Sequence, residues 1–126
     1  MSGTSDQWPS ELRLKDQGRL LRIVFESGAA YDLSAEYLRV MSPSAEVQGH
    51  SPEERVTVGG KRHCAIIGVE PVGTYAVRLT FDDLHSTGIF SWPYLYELGS
   101  QHEEKWAFYE AELTAKGLNR DSEGQA

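Results

Sequence analysis

Ala65-Ile-Ile-Gly-Val-Glu-Pro-Val-Gly-Thr-Tyr-Ala-Val-Arg-Leu-Thr-Phe81 decides the fold class of this chain. Residues 65–69 and 75–81 are rich in β-branched and aromatic side chains, and Glu70-Pro-Val-Gly73 between them has turn chemistry. The stretch therefore reads as two strands joined by a turn. Upstream, Glu11-Leu-Arg-Leu-Lys15 alternates charged and apolar residues, which is the period of a half-buried strand. A turn at Asp16–Gly18 leads into a second strand, Arg19–Phe25, and Glu26-Ser-Gly28 into a third, Ala29–Leu33. Downstream, Asp82-Asp-Leu-His85 makes another turn, and residues 86–90 form a short partner strand. At Ser91 the period changes from 2 to about 3.6. Ser91 can cap a helix, Pro93 sits in its first turn, and Leu95, Leu98, Trp106, Tyr109 and Leu113 keep one face apolar. One helix is expected over 92–116, interrupted at Gly99-Ser100 and stopped by Gly117.

These elements predict a single α+β domain, 9–117, with an antiparallel sheet of five or six short strands and a C-terminal helix packed on it. Residues 1–8 and 118–126 are polar and aperiodic and read as tails. Ser34–Arg39 reads as a helical turn capped by Ser34, and Pro43 ends it. Residues 42–60 hold two prolines, three glycines and several charges, and read as a mobile loop.

Composition excludes several classes of function. At 126 residues the chain can bury roughly two-thirds of its unfolded surface without a disulfide or metal. The single Cys64 rules out an internal disulfide framework and fits a reducing compartment, so a cytoplasmic location is expected. A net charge of −7 opposes nucleic-acid binding, and no apolar run approaches the roughly 20 residues that span a bilayer. No HExxH, P-loop, GxGxxG or GxSxG occurs. No nucleophile, base and orienting group can be assembled from the residues, so neither an enzyme nor a cofactor is expected.

Four histidines remain to be weighed. His85 follows Asp82 and Asp83 in a turn, where a carboxylate could orient it toward a ligand; the alternative is a surface imidazole bonding the backbone. His63 and Cys64 are neighbours, and neighbours in extended chain point to opposite faces, which disfavours a shared ion. His102-Glu-Glu104 has the H-x-E spacing of an iron site, but it lies in a helical pattern and no histidine follows it. His50 has no converging partner in the sequence. Gly59-Gly-Lys-Arg62 lacks the rest of a phosphate loop and reads as a turn. Phe90, Trp92, Tyr94 and Tyr96 lack the basic groove of a stacking platform and read as packing residues.

Three stretches, Tyr37-Leu-Arg-Val-Met-Ser-Pro-Ser-Ala-Glu46, Ile67–Val77 and Phe81-Asp-Asp-Leu-His-Ser-Thr-Gly-Ile-Phe-Ser-Trp-Pro-Tyr-Leu95, occur in an order that resembles the gamma-butyrobetaine hydroxylase-like N-terminal domain family. The resemblance spans about Pro9 to Leu98. It implies a domain that stands alone in small bacterial proteins and is elsewhere fused to carnitine-pathway oxygenases or to iron–sulfur ATPases. In the oxygenases the domain holds zinc through three cysteines and a histidine. Those positions fall here at Ser42, Ser44, Val47 and His85, so one of the four ligands is retained. Leu84 stands where the family usually has Gly before the His. Oxygenase activity belongs to a separate domain and is not implied.

The resulting expectation is a non-catalytic binding or adaptor module that meets an unknown protein partner through Arg39, Ser42, His85 and Trp92. The alternative is an accessory metal-binding protein of iron or iron–sulfur assembly, using His85 with Asp82, Asp83 and Cys64. A homodimer is a further expectation if the sheet leaves the Trp106–Tyr109–Leu113 face uncovered.

Overall fold

A computed structural model of the chain describes residues 8–49, 52–86 and 88–121. The predicted α+β class is found, with six antiparallel strands divided between two three-stranded sheets. The first sheet is a meander of β1 (Pro9–Lys15), β2 (Leu20–Phe25) and β3 (Ala30–Ser34). The second is a meander of β4 (Ile66–Val72), β5 (Ala76–Phe81) and β6 (Ile89–Ser91). Periodicity locates strands but is silent about which hairpins join into one sheet, which is why a single sheet was expected.

The central strands carry the core. Leu21, Ile23 and Phe25 of β2 and Val77, Leu79 and Phe81 of β5 are all buried, as strict alternation requires of a strand with one face inward. Around them pack Tyr37 and Leu38 of α1 (Ala35–Val40), Leu95 and Leu98 of α3 (Trp92–Ser100), and Tyr109 and Leu113 of α4 (His102–Ala115). Truncating any of the leucines to Ala would cost about 2–5 kcal/mol. The two sheets touch where the β1–β2 turn meets β4. Gly18 has φ +89°, and a Cβ there would stand 2.3 Å from the carbonyl oxygen of Ile66. Only glycine satisfies both demands.

Ser34 and Ser91 cap as expected, their hydroxyls accepting hydrogen bonds from the backbone N–H of Tyr37 and Tyr94 at 3.0 and 3.2 Å. The expected interruption falls one residue later, at Gln101, whose φ of −113° and ψ of 27° leave the helical region and divide the stretch into two helices. Gly117 follows the second with φ +69°, in its predicted role as the stop.

Three further expectations are corrected. The 42–60 segment is more than loop. Ser44 caps a four-residue helix, α2 (Ala45–Gln48), Val47 is buried, and Arg55 makes a two-pronged ion pair with Glu112 of α4. Glycine and proline density masked a cap followed by one apolar anchor. The predicted tail beyond 117 is docked as far as Asp121: Leu118 packs on the core, and the carbonyls of Asn119 and Arg120 accept from Gly60 and Arg62. Its polarity reflects ion pairing. Finally, the Trp106–Tyr109–Leu113 face is turned inward, with Tyr109 fully buried and its hydroxyl bonded to the Val58 carbonyl. That removes the ground for a dimer through this face. Among the described residues no helix is long and apolar enough to cross a membrane.

Candidate functional site

The end of α1, the cap of α2 and the β5–β6 turn meet at one corner. Arg39, Ser42 and His85 come together there, whereas Trp92 does not join them. At the centre is His85, 8% exposed. Its Nε2 lies 3.0 Å from Ser42 Oγ and its Nδ1 3.2 Å from Glu46 Oε1. A carboxylate accepts only, so Nδ1 carries the proton and Nε2 accepts from the Ser42 hydroxyl. Ser42 Oγ accepts in turn from the Ser44 N–H at 3.2 Å. Burial, seconded by the Arg39 charge, lowers the His85 pKa against the opposing pull of Glu46 and Asp83. The ring is therefore neutral at pH 7.

Asp83, the sequence neighbour expected to orient His85, does something else. Its Oδ2 accepts from Lys61 Nζ at 2.7 Å and Arg39 Nε at 2.9 Å, and its Oδ1 accepts from the His85 backbone N–H at 3.0 Å. Burial opposes its charge, but the Lys61, His85 and Arg39 hydrogen bonds outweigh burial and hold the carboxyl well below the usual carboxylate range. The residue that does orient His85, Glu46, was missed because it comes from α2, in a stretch read as loop. Arg39 Nη1 is buried and has no hydrogen-bond partner among the described residues, so the guanidinium is anchored through Nε.

Hydroxyl, imidazole and carboxylate in this order resemble a hydrolytic triad, but the surroundings do not suit one. Ser42 is fully buried, and Gly88 lies over it so closely that a Cβ there would stand 2.4 Å from Ser42 Oγ. No substrate carbonyl can reach that oxygen. The arrangement instead ties α1, α2 and the β5–β6 turn into one rigid unit.

Nor do the residues fit the family's zinc. Ser42 and Ser44 are neutral hydroxyls, Val47 is a buried hydrocarbon, and both His85 nitrogens are already bonded. The alternative metal set is no better placed. Asp83 is committed to two cations, and Cys64 is buried, its thiol pushed up to about 12 by desolvation and then by Asp82 and Asp83. No group of three metal-binding side chains occurs among the described residues.

Trp92 sits apart from the others. Its indole Nε1 donates to the Thr74 carbonyl at 2.9 Å, pinning α3 to the β4–β5 turn. The other aromatics read as packing residues do pack: Phe90 is fully buried, Tyr94 donates to the Met41 carbonyl at 2.6 Å, and Tyr96 meets Phe25 edge-on at 5.3 Å. His63 is exposed where Cys64 is buried, and His102 opens α4. His50 lies outside the described residues.

What the corner presents to solvent is Leu84. It is 76% exposed at the tip of the turn and has φ +71°, a left-handed conformation that ordinarily favours glycine. The residues on either side are fixed, Asp83 by Lys61 and Arg39 and His85 by Ser42 and Glu46.

Comparison with known proteins places these features in context. Residues 12–96 match the family described as gamma-butyrobetaine hydroxylase-like, N-terminal. An NMR solution structure is 45% identical with a TM-score of 0.78, covering 94% of each chain. A second is 42% identical with a TM-score of 0.79, covering all of this chain and 95% of the other. A crystal structure of a protein of unknown function from Acidithiobacillus ferrooxidans ATCC 23270, in the DUF971 family, is 38% identical with a TM-score of 0.61. It covers 74% of this chain and 93% of its own. No curated protein matches.

Proposed function

Because the chain belongs to the gamma-butyrobetaine hydroxylase-like N-terminal domain family, we propose that it is a non-catalytic binding module whose contact point with a protein partner is the Leu84 tip. The observation that carries this reading is the strained, exposed leucine itself. A non-glycine residue at positive φ costs roughly 1–2 kcal/mol, and an exposed leucine recovers little of it by burial. Among the described residues it is the one apolar side chain at positive φ, and its exposure leaves it open to a partner.

Arg39, Ser42 and His85 act from inside. They hold the tip in one geometry, so a partner binds a preorganised surface and loses less entropy on doing so. The exposed Asp82 lies two residues before the leucine, and the exposed Glu46 carboxylate bonds the neighbouring His85. The partner this surface fits has an apolar pocket with lysine or arginine on its rim. Of the two readings the sequence offered, metal handling has less support, since His85 and Asp83 already have their full complement of protein partners. A zinc titration followed at the His85 ring should produce no saturable shift.

A photo-crosslinking residue at position 84 tests the reading in cells that express the full chain. One discrete protein adduct should form, and excess wild-type chain should suppress it while Leu84→Gly does not. The same probe at the exposed Phe108 should give no such adduct. Identical adducts from both positions, or none from position 84, would overturn the proposal.

A further inference from the structure

A second site lies away from the Leu84 corner. A cavity of about 370 Å³ opens between the start of β2, the start of α1, the first turn of α4 and the docked C-terminal segment. That volume is at the lower end of the range for small-molecule sites. Three arginines line it, Arg19, Arg62 and Arg120. Two are neutralised on the spot, Arg62 by Asp121 and Arg120 by Glu36. Arg19 is exposed, and its side chain has no carboxylate or carbonyl partner among the described residues. The cavity therefore keeps one uncompensated positive charge in a chain whose net charge is −7.

The rest of the lining suits an anion of limited size. Trp106 forms an aromatic wall, held in place by the Arg120 guanidinium 5.1 Å from its ring centroid and by His102, whose ring lies parallel within 7°. His102 is exposed and can donate from its ring. Ser34 Oγ, which accepts from Tyr37 as the α1 cap, still has its hydroxyl proton to give. Cys64 closes the floor as an un-ionised thiol and brings no competing negative charge.

We propose that this cavity binds a small anion, a carboxylate or phosphate group of a low-molecular-weight ligand, with Arg19 as its charge partner and Ser34 and His102 as hydrogen-bond donors. Arg62 and Arg120 contribute field without giving up their own carboxylates. Guanidinium is suited to this role because its fork matches both carboxylate and phosphate.

The test is an NMR titration of the full chain at low, constant ionic strength with inorganic phosphate and, separately, with benzoate, using chloride as the reference. Saturable shifts at the Arg19 and Trp106 side-chain signals with phosphate would assign a phosphate site; with benzoate, an organic carboxylate site. Either should weaken at least tenfold in Arg19→Gln and be unchanged in Arg78→Gln, whose side chain pairs with Glu70 on the second sheet. Arg19 is exposed, so the variant should keep the wild-type thermal midpoint. Shifts no larger than those from chloride, or binding indifferent to Arg19→Gln, would overturn the proposal. The Leu84 crosslink should be the same in Arg19→Gln as in wild type, so the two proposals fail separately.

Discussion

Arg120 reaches across 84 positions of sequence to donate two hydrogen bonds, at 2.6 and 2.7 Å, to the buried carboxylate of Glu36. The pair fastens the last described residues to α1 and forms one wall of the anion cavity. Glu36 is 5% exposed, and removing the guanidinium would leave its carboxylate buried without that partner.

Arg120→Ala should therefore destabilise the domain by about 2–3 kcal/mol, below the full figure for a broken buried pair because Arg120 itself is partly solvated. Urea denaturation measures it. Replacing both partners by leucine should cost less than the single change, since no charge is then left stranded. An unchanged midpoint in Arg120→Ala would mean that the C-terminal segment is not held by the pair.

Stability should fall on acidification in two separate windows. His85 has a lowered folded pKa, so the unfolded chain takes up its proton first, and stability declines as pH drops below about 6.5. Asp83 is also lowered, so its contribution is complete above about 3.9 and is lost as pH falls further. Thermal midpoints measured from pH 8 to 3 should show both declines. His85→Gln should flatten the first and leave the second.

Cys64 should resist thiol reagents in the native state. Its thiol is buried and pushed up to about 12, so almost no thiolate exists at pH 8. Labelling with a chromogenic disulfide should proceed only as fast as the domain opens, and urea should accelerate it at least a hundredfold. Rapid labelling of folded protein would show that the loop before β4 opens locally.

Leu84→Gly should raise stability. Relief of the left-handed strain is worth roughly 1–2 kcal/mol, and the added freedom of the unfolded chain takes back about 0.4–1 kcal/mol. The expected net gain is about 0.5 kcal/mol, read from denaturant midpoints. A loss of stability would show that Leu84 packs usefully within the fold and would remove the argument for its external role.

The strands, the caps and the fold class were legible in the sequence because they are local. Alternation in β2 and β5, the hydroxyls of Ser34 and Ser91 and the stop at Gly117 each act within a few residues of where they are read. The meeting of Arg39, Ser42 and His85 was legible only through resemblance to a family, since nothing in their spacing announces it. What the tertiary structure alone decided is how the charges are shared out. Asp83 turned from its neighbour's imidazole to Lys61 and Arg39, Glu46 arrived from α2 in its place, Arg120 found Glu36, and the Arg19 side chain was left without a carboxylate among the described residues. Apolar burial follows a repeating pattern along the chain, whereas ion pairing depends on which side chains the packed elements bring within a few ångströms, and no period in the sequence records that.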